Sequence, residues 1–363
     1  MTGSLHTEDE MQKDFHYYVT AMLARHAGFT VDESRLIAWC SQYVDDATES
    51  FQLHLSTGRV VETTMTAHYH VKSFSTGVQR DVYECFHFPP AGLKNSIFSF
   101  RTQPDPPVLK SLLEDILEEK DTGSGPVSND GHPFWMYRLG IALHTYMDSW
   151  SHQSFSGRLH RENDVGRIYR GDSKGNWKRM TLEDWMCDLA PPVGHCQAGH
   201  LVDHPHRHLK YQVYDPGAGK FRMKVRHNPA QFEKASKHCL KQLKKFSGSG
   251  SKWDDNEDAM KAIRFLLNSG IDDAEERILA WKKHRTFRPF KRFFSTKGEY
   301  DEDGWPDEAF ATIDDRPLRR EYLEKRRDRF HARERDGFDG TNFRLFHKAA
   351  RKQRVFMLDR LFW

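Results

Sequence analysis

The sequence predicts a mainly α protein, with a helical core domain over residues 11–246 and a charged helical extension over 252–363. Three observations lead there. Apolar residues recur at spacings of three and four in several segments. Those segments open on capping residues and close on glycine. The stretch 134–156 is apolar around most of a helix circumference, as a buried helix is.

Taken in order, residues 12–27 are amphipathic and stop at Gly28, a suitable C-terminal cap. Thr30-Val31-Asp32-Glu33 reads as a capping box opening a second helix, whose apolar face is Leu36, Ile37, Cys40, Tyr43 and Val44. Residues 58–75 alternate weakly, as either a strand pair or an irregular excursion. Pro89-Pro90 and the prolines from Pro104 to Pro107 mark a loop-rich stretch. A short helix at 108–120 runs into Asp121-Thr122-Gly123-Ser124-Gly125-Pro126, a surface loop. After the 134–156 helix, residues 157–215 read as a loop-rich insertion with histidines crowded at 195–208. A helix at 229–246 ends at the flexible joint Ser247-Gly248-Ser249-Gly250-Ser251. Charged helical segments follow at 254–286 and 316–335.

Composition prunes the function classes. The 363 residues are 37% hydrophobic and 29% charged, which is globular rather than disordered. No apolar run reaches the ~18 residues of a membrane-spanning helix. The opening MTGSLHTEDEMQKDF has neither the basic nor the apolar run of a secretion signal, so a cytoplasmic location is expected. Five cysteines form no CxxC pair, which argues against a disulfide scaffold or a cysteine zinc finger. Net charge is only +3, so overall charge does not announce a nucleic-acid binder. Nothing sets the oligomeric state. Histidine, at 21 residues, is the unusual count, and it is the commonest metal ligand.

The chemistry centres on Leu143-His144-Thr-Tyr-Met-Asp148-Ser-Trp-Ser-His152. At about 100° per residue, His144, Asp148 and His152 share one face of an otherwise apolar helix. A buried carboxylate is costly unless paired or bound to a metal, and imidazole with carboxylate suits zinc or a similar divalent ion. The plain alternative is a hydrogen-bonded His–Asp pair stabilising a core helix. Further candidates are His16 on the first helix, Asp45 and Asp46 closing the second, His68, His70 and His87 between, and His195, His200, Asp203 and His204 in one loop. Each has a bland reading alone; together they call for a shared cation. No histidine is followed by Asp or Glu, and GxSxG, GK[ST] and GxGxxG are absent. That removes His-Asp phosphohydrolases, HExxH proteases, α/β-hydrolases, P-loop enzymes and Rossmann enzymes.

The segment ALHTYMDSWSH resembles the ligand helix of the zinc-dependent phospholipase C and single-strand nuclease superfamily, a mostly helical fold holding two or three zinc ions. Together with DFHYYVTAMLARHAGF, SQYVDDA, FHFPP and a GH…D-x-P segment, it resembles an uncharacterised bacterial family related to that superfamily. The resemblance implies that His144 and Asp148 hold one zinc, with Asp148 bridging to a second. It implies that His152 holds another zinc with Asp203 and either His195 or His200. Asp45, His16, and either His87 or His68 would complete the set. Asp14 would stand in for the terminal amine that the superfamily uses as a ligand.

Such a cluster would lower the pKa of bound water toward ~7 and neutralise phosphoryl charge, with Asp45 or Asp46 as general base. The expected activity is phosphodiester hydrolysis, on a phospholipid, a nucleic acid or a small metabolite. The competing expectations are a non-enzymatic helical interaction protein with a structural metal, and another metal-dependent esterase or phosphomonoesterase. Phe134, Trp135, Tyr146, Trp150 and Phe155 fit core packing or a substrate rim. The basic stretch Arg319 to Arg335 fits a solvated helix or an anionic partner.

Overall fold

The computed structural model describes residues 13–48, 52–67, 75–92, 100–172, 175–180, 191–248, 256–271, 273–284, 299–313 and 329–362. Its centre is the helix the sequence singles out, α5 (Phe134–Ser151). All eighteen of its residues are buried, and Pro133 precedes it. A helix apolar on nearly every side is stable only when neighbours cover every side. Five helices do so. They are α2 (Val31–Asp46), α3 (Thr76–Val78 continued by the π-helical Gln79–His87), α4 (Pro107–Thr122), α6 (Asn228–Ser247) and α10 (Asn342–Phe362).

The expected punctuation is present. Thr30 and Glu33 form a reciprocal capping box at the start of α2. Gly28 takes a left-handed conformation at the end of α1, a π-helical turn Asp14–Val19 continued by the α-helix Thr20–Ala27. The contact between α2 and α5 is close because Gly140 has no side chain. A Cβ there would lie 2.4 Å from Cys40 Cβ and 2.5 Å from the Ile37 carbonyl oxygen.

The mainly α expectation is corrected by two four-stranded sheets, which make the fold mixed α/β. One has the order β2-β1-β8-β7, from β2 (Val60–Glu62), β1 (Gln52–Leu55), β8 (Arg329–Glu334) and β7 (Phe310–Ile313). The other has the order β4-β3-β5-β6, from β4 (Trp177–Arg179), β3 (Val165–Gly171), β5 (His208–Asp215) and β6 (Lys220–His227). The second sheet occupies much of what reads as loop, because basic residues interrupt its apolar alternation. The expected helix over 316–335 is also corrected where it is described. Residues 329–334 are a strand, paired in parallel with β1 through Gln52 opposite Arg329. A partner so distant in sequence leaves no local signal. The rest of that basic stretch, up to residue 328, lies outside the described residues.

The 254–286 segment is two helices, α7 (Asn256–Leu267) and α8 (Ala274–Lys283), and α9 (Gly304–Ala309) precedes β7. Arg277 of α8 reaches back to Asp14, Nε to Oδ2 at 2.7 Å with both side chains buried. Among the described residues, no helix is long and apolar enough to cross a membrane.

Candidate metal centre

α5 projects His144 and Asp148 one turn apart, and His152 follows as the residue that ends the helix. The rest of the site arrives from four other segments. His16 lies in the π-helical turn of α1, and His87 is the last residue of the π-helical part of α3. π-turns are rare and often mark functional sites. Asp45 comes from the end of α2. His195 and Asp203 flank the 3₁₀ segment Cys196–Val202.

Asp148 is the hub. Its Oδ1 is 3.2 Å from His16 Nε2, and its Oδ2 is 3.1 Å from His87 Nδ1 and 3.2 Å from His144 Nε2. Asp45 Oδ1 sits 3.6 Å from His144 Nε2 and 3.9 Å from His87 Nδ1. A second set adjoins the first across 3.7 Å between Asp148 Oδ2 and His152 Nδ1. There, His152 Nε2 and His195 Nε2 each lie 3.1 Å from one oxygen of Asp203. His16–Asp45–His144, His87–His144–Asp148 and His152–His195–Asp203 are three groups that could hold a metal ion, the first two sharing His144. The residues are buried apart from Asp45, whose side chain is 11% exposed, and His87, His144 and His152 are at 0% exposure.

Tautomers are fixed from behind. His87 Nε2 donates to the Thr66 carbonyl at 2.7 Å, His152 Nδ1 to the His87 carbonyl at 2.8 Å, and His195 Nδ1 to the Gly199 carbonyl at 2.9 Å. A carbonyl only accepts, so in each ring that nitrogen carries the hydrogen. The other nitrogen of each ring then faces a carboxylate. This is the outer support typical of metal-binding histidine.

The electrostatics agree. Burial, then the negative charges of Asp148, Asp46 and Asp203, push the Asp45 carboxyl well above the usual carboxylate range. Burial also opposes charge on Asp148, but the imidazoles of His152 and His144 outweigh it and hold that carboxyl well below its ordinary value. Asp203 behaves alike: burial opposes its charge, yet His195 and His152 bring it down to about 2. Burial and the neighbouring His16 push His144 down to about 3. Burial lowers His87 as well. A neutral His87 with its hydrogen on Nε2 therefore sets a lone pair 3.1 Å from a carboxylate oxygen, a repulsion that a cation between them would turn into attraction. Asp45 Oδ2, His16 Nδ1 and His144 Nδ1 are buried without a hydrogen-bond partner. The residues thus fit a divalent ion bound by nitrogen and oxygen.

Most of the expected ligands converge: His16, Asp45, His87, His144, Asp148, His152, His195 and Asp203. Two expectations are corrected. Asp46 accepts from Gln42 at 3.4 Å and from the Tyr300 hydroxyl at 2.5 Å, and belongs to none of the three groups. Adjacent helix positions point about 100° apart, so Asp45 and Asp46 cannot both face the site. Asp14 pairs through Oδ2 with Arg277 and belongs to none of the three groups. His68 and the side chain of His200 lie outside the described residues.

Sequence reasoning misses Thr66 and Phe88. The Thr66 backbone is tied to α2 through its amide to Ala47 and its hydroxyl to Val44, and its carbonyl orients His87. Phe88 stacks on His152 with ring centroids 4.4 Å apart. The FHFPP segment places an aromatic beside His87, but no sequence signal marks a backbone carbonyl.

The architecture is thus a mixed α/β protein built around a buried histidine–aspartate cluster able to hold a metal. The chain belongs to the family of unknown function DUF6765, whose model matches residues 11–361. No curated protein and no solved structure matched it.

Proposed function

We propose that this protein is a metal-dependent phosphodiester hydrolase and that its resident ion is zinc. The observation that carries the reading is the double set on one helix. Asp148 gathers three imidazoles, and 3.7 Å away His152 begins a second set with His195 and Asp203. Adjacent sets of this kind suit a phosphodiester, whose attacking and leaving oxygens both need charge compensation. Imidazole with carboxylate and no thiolate is a donor set that zinc accepts. When bound, such ions acidify water and neutralise phosphoryl oxygens.

The chain's own residues divide the remaining work. Asp45 is the most exposed carboxylate of the cluster, with a side chain 11% exposed and Oδ2 unpartnered, so we assign it to accept a proton from the attacking water. Thr66, through its carbonyl, and Phe88, through its stacked ring, hold His87 and His152 in orientation.

The depth of the site favours a second reading, a structural metal centre. Rings at 0% exposure leave substrate little approach except past Asp45 and His195. Metal analysis of the purified chain, together with turnover of bis(p-nitrophenyl) phosphate, separates the two. The hydrolase reading expects on the order of two ions per chain, turnover, and loss of both in Asp148→Asn. A zinc-loaded chain inert towards phosphodiesters, or an Asp148→Asn variant that still turns over, overturns it. Hydrolysis of p-nitrophenyl phosphate alone would instead point to a phosphomonoesterase.

A further inference from the structure

The sheet β4-β3-β5-β6 is built inside out at its edge. β5 turns Leu209, Tyr211 and Val213 into the core, where they are buried. The register pairs those three with Arg226, Lys224 and Arg222 of β6. Side chains alternate along a strand, so the core-side positions of β6 are basic. Its apolar residues Phe221, Met223 and Val225 face outward, 45%, 44% and 50% exposed. A one-residue slip would bury that row and free the charges. Arg226 prevents the slip. It is buried, and its guanidinium donates to Asn228 Oδ1 and to the carbonyls of Trp150, Ser151 and Val202. The outward row is therefore locked in place, and β6 is the last strand on its side of the sheet.

Charge defines what can cover it. The four strands carry two basic residues in VGRIYRG, two in WKR, one in HLKYQVYD and four in KFRMKVRH, against Asp215 as the sole acid. These strands therefore carry nine basic residues against one acid in a chain whose net charge is only +3. By the same register Arg167 and Arg179, both exposed, lie with Lys210 on the outward side, whereas Arg170, Lys178, Lys220 and Arg222 belong to the other face, where Arg222 pairs with Asp215 at 2.6 Å.

We propose that this outward face of β5 and β6 docks on an anionic lipid bilayer, with Phe221, Met223 and Val225 entering the headgroup boundary and Lys210, Arg167 and Arg179 meeting lipid phosphates. An apolar row of about 13 Å, at ~3.3 Å per residue, edged with lysine and arginine has the composition of an interfacial anchor. A second copy fits less well, because edge-to-edge pairing of two β6 strands brings basic residues against basic residues. Nucleic acid fits less well too, since Met223 and Val225 offer no ring for a base to stack on. The docking face does not depend on whether the metal centre is catalytic.

The test is co-sedimentation of the full metal-containing chain with vesicles of phosphatidylcholine, with and without phosphatidylglycerol. Binding is expected only with the anionic lipid, and it should weaken as salt is raised. The triple change Phe221→Thr, Met223→Thr and Val225→Thr keeps strand-forming residues and should weaken binding roughly tenfold or more. Val355→Ser, at another exposed apolar residue, should leave it unchanged. Metal content and turnover of a soluble phosphodiester, read on the same samples, should not move, so failure here is distinct from failure of the hydrolase reading. Equal partition onto neutral vesicles, or no binding, overturns the proposal. So does tighter, Phe221-dependent binding of a single-stranded oligonucleotide, or a dimer that the triple change dissolves.

Discussion

His87 hands its Nε2 hydrogen to the Thr66 carbonyl at 2.7 Å, and this one bond fixes the face the ring turns to Asp148. Thr66 in turn is fastened to the end of α2, the helix that carries Asp45. The end of α2, which carries Asp45, and His87 of α3 are therefore joined through one backbone junction.

That junction separates two substitutions. Thr66→Val removes the hydroxyl bond to the Val44 carbonyl, 2.8 Å long and buried, and should cost about 1 kcal/mol of stability. It keeps the carbonyl that orients His87, so metal content should be preserved. His87→Asn should lose metal at Asp148. Urea unfolding and metal analysis of the two variants check this, and equal metal loss in both would show that the hydroxyl matters directly.

Removing metal should destabilise the chain. An ion that binds only the folded state adds about 2.7 kcal/mol per site at a hundredfold excess over its Kd. Chelation should therefore lower Tm, and zinc should restore it. Asp203→Asn should forfeit only the part owed to His152 and His195, since His16, His87, His144 and Asp148 remain together. Calorimetry of the two proteins with and without chelator tests this. An unchanged Tm in the native chain would mean that the cluster folds equally well without an ion.

Gly140→Ala should be disruptive although alanine is the better helix former. Its Cβ would sit 2.4 Å from Cys40 Cβ, so α2 and α5 must separate. Overpacking of this kind costs about 1–3 kcal/mol. The same separation draws Asp45 away from His144, so a lower denaturation midpoint should be accompanied by weaker metal retention.

His347 on α10 gives a pH dependence independent of the cluster. Its Nδ1 accepts from the Thr64 amide at 3.0 Å, and burial pushes its pKa down to about 3. The unfolded chain takes up this proton near pH ~6.5 while the folded chain does not. The associated stability is full above that pH and is lost progressively as pH falls towards about 3. In chelator-treated protein, His347→Asn should flatten the decline over that window, with denaturation midpoints as the readout. An unchanged slope would place the acid sensitivity elsewhere.

Much of the ligand set is legible in the sequence for a simple reason. His144, Asp148 and His152 are spaced by helical turns, and an apolar helix has to justify each polar group it buries. The caps at Thr30 and Gly28 are equally local. The second sheet is not legible, because β6 alternates basic and apolar residues with the basic ones turned to the core, the reverse of what alternation ordinarily means. β8 is hidden differently: its partner β1 lies far back along the chain, and charged local composition favours helix there until that pairing overrides it.

Residue type and helical period alone show which side chains can bind an ion and that one buried helix carries three of them. Folding in three dimensions is what turns Asp45 to the cluster and Asp46 to Tyr300, pairs Asp14 with Arg277, and lets a threonine carbonyl set a histidine's tautomer. Those outcomes depend on rotation about a helix axis and on backbone atoms brought together from distant segments, and neither is written in the identity of any single residue.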